Sequence, residues 1–268
     1  VVTRASALGE YLRARRAVTP PESLGIVRAS NRKVSGLRRS EVAAAAGVSE
    51  NYYLRLEQGR DQRPSEQVLS ALGRALRLDH FAMDYLFRIA YAEDSPANPV
   101  TGPDESLLAL LDHWKHTAAY ITDGNHDIVA SNVLARRIGR GLLDVGQNNV
   151  VSFFLDRSRA GADDDEESAI HLAAALRFHS HPLDPRLHQV VDELSALSPV
   201  FARVWPRHDA WPLADGVTQA SFDGFGVVDL TFQNLEIPGR PGYVLTTTFA
   251  PPNTPGAAVL AYLAAQPD

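Results

Sequence analysis

The sequence predicts two domains of different class: an all-α N-terminal domain of five helices and an α+β C-terminal domain with an antiparallel sheet. Three observations lead there. Apolar residues recur at helical spacing through residues 5–92, whereas alternating, turn-bounded runs dominate from residue 217 onward. Between the two lies YAEDSPANPVTGPDES (91–106), rich in proline, serine, glycine and acid, as a linker should be. The charge also divides: residues 1–78 carry 14 Arg/Lys and 7 Asp/Glu, a net +7, and the remaining 12 and 25 leave −13, which together give the overall −6. The domains are accordingly read as 1–92, a linker at 93–106, and 107–268.

In the first block, Leu8 and Leu12 mark a helix ending near Arg16. A loop of about twenty residues follows, Val18 to Leu37, with Pro20-Pro21 and the cations Arg28, Arg32 and Lys33; connections in helical domains are usually ~2–8 residues. A second helix, Arg39 to Ala46, turns Val42, Ala43 and Ala46 inward, and Gly47 ends it in the left-handed region. Ser49 caps a third helix closed by Gly59. Pro64-Ser65 opens a fourth with Val68, Leu69, Leu72 and Leu76 on one face. Asp79 opens a fifth, which runs to about Ala92 with Phe81, Tyr85, Leu86 and Ile89 inward.

In the second block, Leu107 to Trp114 reads as a helix. Ala119–Thr122 and Asp127–Ala130 flank Asp123-Gly124-Asn125 as a hairpin, and Asn132 caps a following helix. Residues 165–205 are helical in three pieces, with Pro185 and Pro199 at tolerated first-turn positions. Strands follow at Val217–Phe222, Val227–Ile237 and Tyr243–Phe249, then a last helix from Gly256 to Ala265.

Composition excludes several classes. The 268 residues contain no cysteine, which rules out disulfides, thiol catalysis and cysteine-ligated metals. No window holds the ~18 apolar residues of a membrane span, and the N-terminus lacks a signal-peptide core, so no membrane partner and a cytoplasmic location are expected. There is no G-x-S-x-G elbow, phosphate loop or dinucleotide glycine pattern, and no enzyme is expected. His171, His179, His181 and His188 lack the carboxylates or spacing of a metal site, and the acidic run from Asp163 to Glu167 reads as a solvated helix start; no metal and no resident cofactor are expected.

A basic block joined to an acidic remainder points to an anionic partner. The short helix, the turn at Gly47 and the second short helix form a helix-turn-helix, which lays its second helix in the major groove of duplex DNA. Val48, Tyr53 and Leu56 would hold that helix to the core and leave Ser49, Glu50, Asn51 and Arg55 outward. Arg pairs bidentately with guanine, Asn with adenine, and Glu accepts from cytosine. Ser49, Tyr52, Arg38 and Arg39 are placed for phosphates. Two arginines oppose the dipole at a helix start, so a bound phosphate is the expected reason for them. Arg28, Arg32 and Lys33 would clamp the backbone or enter a minor groove.

LGEYLRARR and SGLRRSEVAAAAGVSENYYLRLEQGRDQRPSEQVLSALGRALRL resemble the helix-turn-helix domain of MmyB-like transcription regulators of bacteria. HWKHTAAYITDGNHDIVASNVLARRI and LSALSPVFARVWPRHDAW are similar to parts of that family's ligand-binding domain. Two segments depart from its pattern, SFDGFGVVDL and the insert GADDDEESA. The resemblance implies a PAS-like C-terminal domain responding to a small apolar or amphipathic, fatty-acid-like effector, and a structural ion pair between Arg16 and Glu57. Acting as a homodimer on a two-fold-related site is the expectation from the helix-turn-helix geometry. Candidates for walls of an effector cavity are Tyr120, Phe153, Phe154, Phe178, Phe201, Trp205, Trp211, Phe232, Tyr243 and Phe249, with Arg177, Arg207 or His208 for an acidic head group. A filled core serving as an interaction module is the alternative for this domain.

Overall fold

In the computed structural model, which describes residues 4–27, 32–60, 63–91, 102–103, 105–159 and 166–266, the N-terminal helices fall where the apolar period puts them. They are α1 (Arg4–Val18), α2 (Arg39–Ala46), α3 (Glu50–Glu57), α4 (Glu66–Ala75) and α5 (His80–Tyr91). Arg28, most of the linker and Asp163 to Asp165 lie outside the described residues. The first helix runs two residues past Arg16, to Val18. Thr19 then folds back, its hydroxyl donating to the Arg15 carbonyl at 2.7 Å. The long loop holds a 3-10 turn, Pro21–Leu24, not anticipated from the sequence; Pro21 starts it where a missing N–H costs nothing, and Gly25 closes it at φ 72.

These helices close over one apolar core. Tyr11, Leu12, Leu37, Val42, Tyr53, Leu56, Leu69, Leu72, Leu86 and Ile89 are all essentially removed from solvent. Each such leucine or isoleucine contributes about 1.5–3 kcal/mol, against the ordering entropy of the chain. Caps fall as expected: Ser49 accepts from the Tyr52 amide at 3.1 Å, Ser65 from Val68 at 3.4 Å and Asp79 from Ala82 at 2.8 Å.

The C-terminal α+β domain runs α6 (Glu105–His113), β1 (Ala118–Thr122), β2 (Ile128–Ser131), α7 (Val133–Gly139), α8 (Asn149–Arg159), α9 (Glu166–His179), α10 (Pro185–Leu197), α11 (Pro199–Val204), β3 (Asp215–Phe222), β4 (Gly226–Glu236), β5 (Val244–Phe249) and α12 (Pro255–Ala264). The five strands are antiparallel in the order β2-β1-β5-β4-β3. First and last strands meet at the centre, and α7 to α11 are inserted between β2 and β3, the PAS-like arrangement the resemblance implied. The helix α8 was not expected: paired valines and phenylalanines give NVVSFFLDRSR a strand-like look, but Asn148 accepts from the Val150 and Val151 amides at 3.1 Å and starts a helix.

One sheet face packs through Tyr120, Ile128, Val228 and Leu230 against Leu134 of α7 and Val259 and Leu260 of α12. The other face, around Ala119, Ile121 and Leu245, is covered by Leu111 of α6. The helices α8 to α11 build a core of their own from Phe154, Leu176, Val190, Leu194 and Phe201. Asn132 ties α6, β1 and α7 together. Its Oδ1 accepts from the Ala119 and Ala135 amides at 3.1 and 2.9 Å, and its Nδ2 donates to the Thr117 and Trp114 carbonyls at 2.8 and 3.1 Å.

The two regions touch. Phe178, at the end of α9, and Ala210 belong to the N-terminal core. Arg15 of α1 pairs with Asp209, and Arg88 of α5 donates to the Phe178 carbonyl.

Candidate nucleic-acid interface and effector domain

Gly47 sets the angle between α2 and α3. At φ 68 it lets the chain reverse, while Val48 donates to the Ala43 carbonyl at 3.0 Å. The recognition helix α3 is then held from one side only. Tyr53 and Leu56 are fully buried, Val48 packs beside them, and the Tyr53 hydroxyl donates to the Leu12 carbonyl of α1 at 3.4 Å. Ser49, Glu50, Asn51 and Arg55 are exposed and Tyr52 is half-buried, with the Arg55 guanidinium 5.8 Å from the Tyr52 ring centre. The side chains that carry base-reading chemistry thus share the outward face, as the sequence suggested.

Beneath that face lies an ion cluster. Glu57, buried, accepts from Arg16 Nε at 2.6 Å and from Arg39 Nε at 2.6 Å. Burial pushes its carboxyl upward, but the hydrogen bonds from Arg16 and Arg39 outweigh that and hold it below the ordinary value. Arg16 also donates to the Leu37 carbonyl at 3.1 Å. The Arg16–Glu57 pair is as anticipated. Arg39, however, has a reason in the fold as well: it joins the start of α2 to the end of α3. Expecting only a phosphate to account for it was too narrow.

A second clamp involves the basic loop. Arg32 holds Glu41 bidentately, both contacts at 2.7 Å, and donates to the Gly36 carbonyl at 2.6 Å. Glu41 also accepts from the Arg38 amide at 2.6 Å, so it caps α2 and fastens the loop at once. The hydrogen bond from Arg32, seconded by the Arg38 amide, outweighs the upward push of burial and holds the Glu41 carboxyl down to about 2. The side chain of Arg32 is only 5% exposed, which takes it out of the loop's solvent-facing set. Lys33 and Arg38 are exposed, Arg39 keeps 44% of its side chain in solvent, and Arg28 is outside the described residues. The role of Glu41 was missed in sequence, although a glutamate three residues past a cap position is the usual signature.

In the C-terminal domain the ten aromatic candidates do not form one wall. Phe153, Phe154, Phe201 and Trp205 come together: Phe153 meets Phe154 edge-on at 5.5 Å, Phe154 meets Phe201 at 5.7 Å, and Trp205 stacks on Phe201 at 5.4 Å. Tyr120 lies on the sheet's inner face and Phe232 is half-buried beside Gly216. Trp211 meets His171, Tyr243 packs on the α6 side, and Phe249 is exposed. Phe178 sits in the N-terminal core, edge-on to Phe81 at 5.9 Å. A cleft of about 260 Å³ opens between α6, α7 and α12, lined by Trp114, Lys115, Asn132 and Arg137 among others, and none of the ten lines it.

The head-group candidates are likewise engaged. Arg177 is buried, its guanidinium 3.6 Å from the Trp205 ring centre, and it donates to the Trp205 carbonyl at 2.8 Å and the Asp209 carbonyl at 3.3 Å. Burial lowers it to about 10. Arg207 pairs with Asp209 at 2.9 Å, and the His208 ring lies 6.4 Å from that of Tyr11. Among the described residues no group of three or more histidines, aspartates or glutamates is arranged to hold a metal ion, and no helix is long and apolar enough to cross a membrane.

A helix-turn-helix joined to an α+β domain with an antiparallel sheet defines a DNA-binding transcription regulator. The model of the MmyB-like transcription regulator ligand binding domain matches residues 103–263, and that of a helix-turn-helix domain matches residues 7–86. The chain therefore belongs to the MmyB-like transcription regulators. A comparison with curated proteins finds no significant match.

Proposed function

We propose that the chain is a cytoplasmic homodimer that reads duplex DNA with Glu50, Asn51 and Arg55 of α3 and grips phosphates with Lys33, Arg38, Arg39, Ser49 and Tyr52, Arg28 adding to the grip from the loop. One observation carries this: α3 is fixed from beneath by Tyr53, Leu56 and Glu57, while its base-reading side chains face solvent. Arg32 is assigned to the fold rather than to DNA, because Glu41 occupies it. The division at 93–106 leaves residues 107–268 as the effector domain, which takes a small apolar or amphipathic molecule. The test is binding to the DNA upstream of the protein's own reading frame. Asn51→Ala and Arg55→Ala are expected to relax preference at particular base pairs, each by about 1–3 kcal/mol. Arg38→Ala is expected to weaken all sequences alike and lower the salt slope by about one. Unchanged preference in both α3 variants would sink the assigned face.

A second reading keeps DNA binding but makes residues 107–268 an interaction module. The close packing of Phe154 and Trp205 on Phe201, with Phe201 fully buried, favours it. Native mass spectrometry separates the two readings: a co-purified amphipathic molecule supports the effector domain, and a ligand-free species that gains no mass from added fatty acid supports the module.

A further inference from the structure

The turn from Trp205 to Ala210 connects the two halves of the molecule through named contacts at both ends. On the C-terminal side, Arg177 lies over the Trp205 ring and donates to the carbonyls of Trp205 and Asp209, so the turn is tied to α9. Trp205 in turn stacks on Phe201, the centre of the α8–α11 core. On the N-terminal side, Asp209 pairs with Arg15 of α1, and Ala210 sinks into the N-terminal core. A parallel contact runs alongside, where Arg88 of α5 covers the Phe178 ring at 4.8 Å and donates to its carbonyl.

The helix that receives this contact is the one that seats α3. A methyl group at Gly9 of α1 would fall 2.6 Å from the Glu57 carbonyl oxygen and 2.8 Å from that of Leu56, so the two backbones touch there. The Arg16–Glu57 pair and the Tyr53 hydroxyl bond fasten the same two helices. A displacement of α1 is therefore felt by α3. The contact leaves Glu50, Asn51 and Arg55 exposed, so it governs the placement of the reading helix and does not mask it.

We propose that the Trp205–Ala210 turn is the coupling contact of this regulator. Arg177 is its positioning residue, and repacking of Phe201 and Trp205 in the effector domain moves Asp209 against Arg15 and thereby α1 and α3. The proposal rests on reading the C-terminal domain as the effector domain. It gives an effector a physical means of biasing two arrangements, which any switch requires.

Hydrogen exchange on the full chain tests it, reading amides of α1 (7–18), α3 (50–57) and α4 (66–75), in Trp205→Leu, Asp209→Asn, the double variant and the conservative Trp205→Phe. Trp205→Leu and Asp209→Asn should each speed exchange in α1 and α3 at least tenfold and leave α4 within twofold. The double variant should do no more than either single change, and Trp205→Phe should restore slow exchange. Should Trp205→Leu fail to fold, Arg177→Gln with Asp209→Asn forms the corresponding cycle across the turn, with Arg177→Lys as its conservative variant. Exchange in α1 and α3 within twofold of the unaltered chain, additive effects, or an equal rise in α4 would overturn the coupling. An unaltered chain that binds no DNA would strike the functional reading instead, and exchange would still decide this one.

Discussion

Glu57 bears more of the N-terminal domain than its position on a surface helix suggests. It gathers arginines from α1 and α2 beneath the reading face, in a place where its carboxylate has little water. Glu57→Gln should cost on the order of 3 kcal/mol, read as a lower urea midpoint, because two arginines then lose their shared partner; an unchanged midpoint would show the cluster to be passive. Histidines set the acid response. Burial lowers His126 to about 4, against a hydrogen bond to the Ala175 backbone, and lowers His179 and His208 to about 3. Unfolded, each takes up its proton near pH ~6.5, so below that the unfolded chain binds protons that the folded chain refuses. Each lowers stability by about 1.4 kcal/mol per pH unit as an upper limit, since His179 and His208 keep some solvent. Asp123 has the opposite sign. Burial raises Asp123 to about 6 against the hydrogen bonds from the Asp127 and Asn125 amides, so between roughly pH 6 and 4 the folded chain holds a proton there and offsets one histidine. The net expectation is a stability that falls from pH 6.5 to 4.5. His126→Gln should flatten the fall and Asp123→Asn should steepen it in urea titrations at each pH.

At the level of elements, α2–turn–α3 was legible in the sequence almost to the residue, because glycine, serine and the apolar period each act locally. Replacing Gly47 by alanine should cost about 1–2 kcal/mol for the left-handed backbone at φ 68. Circular-dichroism melting would show it, and a variant as stable as the parent would mean that the turn can relax. Strands and caps of the C-terminal domain were also legible, as at Asn132, where the cap is additionally a bracket between α6, β1 and α7. What escaped is what depends on tertiary partners. Nothing in NVVSFFLDRSR announces that Phe154 will meet Phe201 edge-on from a helix. Nothing at Arg32 announces that a carboxylate nine residues on will occupy it. Phe178 was expected near an effector and instead lies against Phe81, since an aromatic at a helix end gives no sign of which core it will enter.

Across the whole molecule, the charge division seen in composition acquires a location. The positive block includes the exposed Lys33, Arg38 and Arg55, and the acidic remainder begins beyond α4. The two halves are joined by aromatic and ionic contacts at Phe178 and Asp209, the route along which the proposed coupling would run. The proposed function requires that α3 read a defined sequence, in two copies related by a two-fold axis. Selection of binding sites by the unaltered full-length chain from a library of random duplexes tests it most directly. Enrichment of one inverted repeat is expected, with half-sites ~10 base pairs apart or a multiple of that, and loss of one half-site position on Asn51→Ala. A selected pool without a shared sequence, or one that Asn51→Ala and Arg55→Ala both leave unaltered, would contradict it.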